Sequence, residues 1–150
     1  MKNKIIKSVA LVMILVTSVA FNSQAGAHRL EVNGDPFSEP VKMRCTCYID
    51  RGTTSSGAET RDGVIAGRKE WLGYVACIYA MNEDGTIGEF IGYYEFLDTG
   101  AGIDTDGDGK GDSIKNGLSV DVWQPSKADA IQWINTYGDY VYIKIVKGVG

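Results

Sequence analysis

Of 150 residues, 19 are acidic and 15 basic, with a single histidine, giving a formal charge of −4 at pH 7. Nucleic-acid binding normally needs a basic face that releases counterions, and no cluster of Lys and Arg occurs here, so the balance disfavours a polyphosphate partner. The length suits one domain with one core and is too short for two.

In chain order, Lys2, Lys4 and Lys7 precede an apolar run from Val9 to Val16 that continues through Val19 to Phe21. Ala25-Gly26-Ala27 then offers the small-x-small pattern of a signal-peptidase site. Residues 1–27 are therefore expected to be an export signal, cut after Ala27 or, as second choice, after Ala25. The run is too short for a convincing membrane span and no Cys follows it for lipid attachment, which leaves an uncleaved anchor as the lesser alternative. Setting the three lysines aside raises the acidic excess from four to seven.

Residues 28–40 contain Asn33-Gly34-Asp35-Pro36 and Pro40 without sustained periodicity and read as a leader or linker. The domain is expected from Val41 to Gly150. Val41 to Ile49 has the β-branched and aromatic content of a strand, and the Gly-, Ser- and Thr-rich stretch 51–63 reads as an open loop of the kind that borders sites. Tyr74 to Met81 and Thr86 to Leu97 form a hairpin about the turn residues Asn82-Glu83-Asp84-Gly85. Ser119 to Trp123 and Tyr140 to Val146 are further strands. Between them Pro125 and Ser126 open a helix, Asp129 completes a Ser-x-x-Asp cap, Ala130, Ile131 and Ile134 share a face, and Gly138 ends it. Export permits a bridge from Cys45 or Cys47 to Cys77, while three buried thiols are the plainer reading. A catalytic thiol has little support, since the lone His28 stands at the expected new N-terminus and cannot serve as a fixed base.

Two clusters carry chemistry. In Asp104-Thr105-Asp106-Gly107-Asp108-Gly109-Lys110-Gly111-Asp112, carboxylates at positions 1, 3, 5 and 9 with Gly at 6 can wrap a hard cation. Calcium is the expected occupant. Asp104, Asp106 and Asp108 would be direct ligands, Lys110 would offer its carbonyl, and Asp112 would bind directly or through water. Position 12 is Lys115, where a full EF-hand has Glu, so the segment is an EF-like loop without the paired helices. The alternative is a solvated Asp/Gly turn. In the second cluster, Asp98-Thr99-Gly100 ends a strand and Ser119-Val120-Asp121-Val122-Trp123 forms another. The two-residue period places Val120 and Val122 on the core face and Ser119, Asp121 and Trp123 on the other. A carboxyl beside an aromatic ring in partly apolar surroundings holds its proton to higher pH, as a general acid must.

These motifs, together with Cys47-Tyr48, Gly63-Val64-Ile65-Ala66, Trp71-Leu72-Gly73, Ile114-Lys115-Asn116-Gly117 and the segment Ala130 to Val146, resemble the three-aspartate (3D) domain. That family is a double-psi β-barrel found in secreted cell-wall proteins and in membrane-bound lytic transglycosylase A. The resemblance spans roughly Met43 to Val146 and implies a mainly β fold, a six-stranded double-psi β-barrel with one late α-helix. It implies a secreted or cell-wall protein acting on peptidoglycan glycan strands as a lytic transglycosylase. Asp121 would be the single acid and base that cleaves the bond between N-acetylmuramic acid and N-acetylglucosamine and leaves a 1,6-anhydro end. Asp98 would hold the developing positive charge or orient Asp121, and Thr99, Lys115, Glu70 and Trp123 would line the substrate. Trp123 reads equally as a half-buried barrel aromatic.

The chain departs from the family twice. Asp98 and Asp121 are 23 residues apart, and the excess over the family's interval is about the length of the 104–112 loop, which reads as an insertion. Arg68 stands where the family has its first aspartate, with Glu70 two residues on as the acid that could replace it. The alternative function is a non-catalytic barrel that binds wall glycan or a wall protein; a protein-interaction surface on the strand of Tyr93, Tyr94 and Phe96 is a third reading. Oligomeric state is not written in the sequence.

Overall fold

The computed structural model describes residues 39–147 and, before them, the strand pair Glu31–Val32 (β1) and Asp35–Pro36 (β2). The expected export signal and His28 lie outside the described residues. β1 and β2 pair antiparallel, so part of the stretch read as a leader is strand.

Six further strands close into a ring: Val41–Tyr48 (β3), Val64–Ala66 (β4), Tyr74–Met81 (β5), Ile87–Asp98 (β6), Ser119–Trp123 (β7) and Tyr140–Lys147 (β8). Their order around the barrel is β3-β7-β4-β6-β5-β8. Two neighbouring pairs, β3 with β7 and β4 with β6, run parallel and the others antiparallel. Among the described residues the fold is mainly β, as expected, with one late helix, Lys127–Tyr137 (α1). Ser126 caps that helix by accepting the Asp129 amide, and Gly138 ends it at φ +77°.

Alternation builds the core. Met43 and Cys45, Ala76 and Ile78, Val120 and Val122, and Val141, Ile143 and Ile145 turn inward from their strands and are all nearly solvent-free. On β6 the same period sends Tyr94 and Phe96 toward the core, while Tyr93 stands 65% exposed and meets Phe90 edge-on at 4.9 Å. A single 3-10 turn, Lys69–Trp71, carries the fully buried Trp71 against Phe96 at 5.4 Å between ring centres. Trp133 docks α1 on the same core. Burying one such side chain contributes roughly 1.5–3 kcal/mol, so these few aromatics fix where the helix and the turn sit.

All three thiols are free. In barrel order β8 lies between β3 and β5, which puts the strands of Cys45 and Cys77 two spacings, about 10 Å, apart. A disulfide needs Cα atoms within about 7 Å, so the possible bridge to Cys77 does not form. Among the described residues no helix is long and apolar enough to cross a membrane.

Candidate functional site

Ala66 ends β4, and its register partners are Asp98 on β6 and Asp121 on β7. Residues opposite one another in a sheet face the same way, so the two aspartates flank this small side chain with Cα atoms two strand spacings, about 10 Å, apart. A bulge between Ile65 and Ala66 skips Leu97 and brings Asp98 into that row. All three line one cleft of about 320 Å³, with Tyr48, Asp50, Arg51 and Thr60 among its other walls.

The two carboxyls are held differently. Asp98 accepts four hydrogen bonds: Tyr48 Oη at 3.0 Å on Oδ2, then the Ser55 amide at 3.0 Å, Ser55 Oγ at 2.9 Å and its neighbour Thr99's amide at 2.9 Å, all on Oδ1. It is fixed in orientation. Asp121 accepts one, from Thr46 Oγ1 at 3.0 Å, supplied by the parallel neighbour β3 where Thr46 is its register partner. Burial pushes the Asp121 carboxyl up to about 6; the Thr46 hydrogen bond opposes this, and the nearby charges of Asp50 and Asp98 add to it. Tyr48 is pushed well above the ordinary phenol range, first by burial and then by the charge of Asp98, so it remains a donor. Burial, with Asp121 beside it, pushes the Cys47 thiol up to about 12, and Cys45 is raised by burial as well. Neither thiol is a nucleophile near neutral pH.

The stretch 51–63 folds back as a flap. Gly52 and Thr60 exchange hydrogen bonds, Thr53 bridges Glu59, and Thr54 Oγ1 donates to the Ala58 carbonyl at 2.9 Å. This places Ser55 at the tip, over Asp98, with its hydroxyl also 2.7 Å from Thr99 Oγ1. Trp123, expected beside the substrate, is 7% exposed and donates its indole N–H to the Asp50 carbonyl at 2.9 Å. It braces the start of the flap, and Asp50 reaches the cleft from there.

A second cleft, of about 590 Å³, shares Thr99 and Gly100 with the first and is walled by Arg68, Lys69, Glu70, Lys115 and Asn116. The expected substrate residues Thr99, Lys115 and Glu70 all lie here. Arg68 Nε sits 3.0 Å from Glu70 Oε2, so the Glu70 carboxylate is paired with this arginine. Gly117, at φ +72°, lets Trp71 and the Arg68 side chain approach to where an added Cβ would meet them at 3.2 and 3.5 Å.

No protein-family model, curated protein or solved structure matches the chain.

The aspartate-rich loop projects from the barrel beyond a tight neck. Gly102 and Gly111 meet there, the Ile103 amide donates to Ser113 Oγ at 2.9 Å, and Ser113 reaches the buried Ser119 on β7 at 2.7 Å. Past the neck, Asp104, Asp106 and Asp108 are exposed, and each offers an oxygen within 4.8 Å of the others. A cation bound at 2.3–2.6 Å per oxygen spans such a gap, so the three could hold one ion. Hydrogen bonds from the Gly109 and Gly107 amides hold the Asp104 carboxyl below the usual carboxylate range. Asp112 lies outside this group of three. Its Oδ1 accepts the Thr105 amide and hydroxyl at 2.9 and 2.6 Å, and its Oδ2 accepts Asn116 Nδ2 at 3.0 Å, which makes it a clip across the loop base. The Lys110 amide donates to Asp108 at 2.8 Å.

Tyr48, Ser55, Thr46 and Asp50 are the site residues that the sequence did not single out for chemistry. Their signal was position, Thr46 and Tyr48 on the first long strand and Asp50 and Ser55 in or beside the loop expected to border a site, with Tyr48 also part of the Cys47-Tyr48 motif.

Proposed function

We propose that the chain is a secreted peptidoglycan lytic transglycosylase, which cleaves the β-1,4 bond between N-acetylmuramic acid and N-acetylglucosamine and leaves 1,6-anhydro ends. One observation carries the reading: Asp121 and Asp98 share an open cleft across Ala66, and burial biases the Asp121 carboxyl toward holding a proton. The resemblance to the three-aspartate domain supplies the reaction class, and the closed six-stranded barrel is consistent with it.

Asp121 donates its proton to the glycosidic oxygen as the bond to the muramyl C1 breaks, and the N-acetylglucosamine chain leaves as an alcohol. The resulting Asp121 carboxylate takes the proton of the muramyl C6 hydroxyl, whose oxygen bonds to C1 and closes the anhydro ring. The proton lost in the first half is regained in the second, and no water enters. Hydrolytic glycosidases need a partner carboxylate to activate water or to attack C1, whereas an internal hydroxyl removes that need. Asp98, fixed by its four donors, faces the charge that develops on the sugar ring. Digestion of purified peptidoglycan followed by mass spectrometry tests the reading: muropeptides with anhydro ends are expected, and hydrolysed reducing ends or undigested wall would overturn it.

A second reading, a non-catalytic glycan-binding barrel, draws on the Arg68–Glu70 pair, which takes up the acid nearest the family's missing aspartate. Binding to wall glycan without any product distinguishes it.

We also propose that the loop binds Ca2+ through Asp104, Asp106 and Asp108, with the Lys110 carbonyl beside them and Asp112 engaged through water. The ion would neutralise carboxylates that otherwise repel one another and stiffen a loop anchored by the Ser113 and Ser119 hydroxyls.

A further inference from the structure

The two clefts that meet at Thr99 and Gly100 have opposite electrostatic character. The first is lined by Asp50, Asp98 and Asp121 against the single cation Arg51. The second is lined by Arg68, Lys69 and Lys115 against the single anion Glu70. Arg68 and Glu70 pair with each other at 3.0 Å, and Lys69 and Lys115 then stand exposed on the wall as two point charges. These lysines come from segments far apart in the sequence, one on the turn after β4 and one at the base of the aspartate loop. Their convergence is made by the fold, in a chain whose overall balance is acidic.

We infer that the second cleft is a carboxylate subsite, which receives the acid-bearing substituent of a sugar whose glycosidic bond lies over Asp121. This deepens the transglycosylase reading and rests on it for the identity of the sugar. A muramyl residue carries a carboxylate in either of two forms, on its own lactyl group or on the peptide attached there. The acidic first cleft repels such a group, and the cleft that adjoins it at Thr99 and Gly100 presents Lys69 and Lys115. The subsite therefore sets both register and selectivity: a sugar without the acid has nothing to hold it in place beyond the first cleft.

The test measures binding of the full chain, by calorimetry at low salt, to three soluble glycans of equal length. These are a neutral N-acetylglucosamine oligomer, an alternating strand with free lactyl carboxylates, and the same strand carrying its peptides. At least one carboxylated strand is expected to bind about tenfold or more tighter than the neutral oligomer. That margin should vanish in Lys69→Glu/Lys115→Glu, whose melting point should stay within a few degrees because both side chains are exposed, and it should shrink in high salt. Preference between the two acidic strands tells which carboxylate is read. Equal binding of all three, no binding of any, or a margin that survives the double reversal overturns the inference. Product analysis on the same samples separates the two levels. A margin without anhydro products leaves the subsite standing and removes the transglycosylase; anhydro products without a margin do the reverse.

Discussion

Aspartates occur in two settings in this molecule, and the chemistry open to each follows from the backbone that carries it. Asp121 sits on a central barrel strand, mostly buried and with one hydrogen-bond donor, and its carboxyl is raised to about 6. Asp104 sits on an exposed loop, and the amides of Gly107 and Gly109 lower its carboxyl. Desolvation favours the protonated form and amide donors favour the charged one, so the strand biases its carboxyl toward holding a proton and the loop biases Asp104 toward staying charged. The loop can also afford three adjacent carboxylates because water screens them, whereas in the cleft Asp98 and Asp121 are spaced across a strand.

The sharpest way to break this contrast is to remove the strand acid. Asp121→Asn should lower release of anhydro ends by at least about a hundredfold, with circular dichroism unchanged, while Asp104→Asn leaves Asp121's role in the chemistry intact. A variant that keeps wild-type turnover would take Asp121 out of the reaction. The next effect lies in stability against pH. Because the folded protein holds the Asp121 proton more tightly than the unfolded chain, this group favours the folded state below about pH 4, and that contribution is lost as pH rises to about 6. The span is on the order of 3 kcal/mol at most. Denaturant melts of wild type and Asp121→Asn should diverge across that window and run parallel above it; curves of the same shape throughout would contradict the shift.

The loop is tested by calcium. At a hundredfold excess over Kd, binding to the folded state alone adds about 2.7 kcal/mol, so the melting temperature should rise with calcium and fall back with chelator. Asp104→Asn should blunt the rise, and an identical melting point in both conditions would favour a solvated turn. The smallest expected effect sharpens the cleft itself. Tyr48→Phe deletes one of four donors to Asp98 and should cost about 1–2 kcal/mol, read as stability together with a several-fold loss of turnover; no change in either would make that hydrogen bond incidental.

Much of the barrel could be read from the sequence because period-two alternation and turn chemistry are local. β5 and β7 match their expected bounds, and the Ser126 cap and Gly138 stop frame α1 as read. The three-residue β4 is too short to show a period, and it was visible only as the Val64-Ile65-Ala66 motif of the resemblance. Trp123 shows the limit of parity. Alternation turned it away from the core, yet a loop some seventy residues earlier in the chain covers it through the Asp50 carbonyl. Tyr48 and Ser55 escaped for the same reason, since their partner Asp98 is more than forty residues away. The two lysines of the second cleft look like ordinary surface charge until the fold brings them together.

Carbon-13 NMR of labelled aspartate carboxyls, titrated from pH 3 to 8 and assigned through Asp121→Asn, addresses the proton on which the whole scheme turns. A resonance with its midpoint near 6, missing from the variant, is the expected result. A midpoint at or below the ordinary aspartate value of about 4 would leave the cleft without an acid at neutral pH and contradict the account.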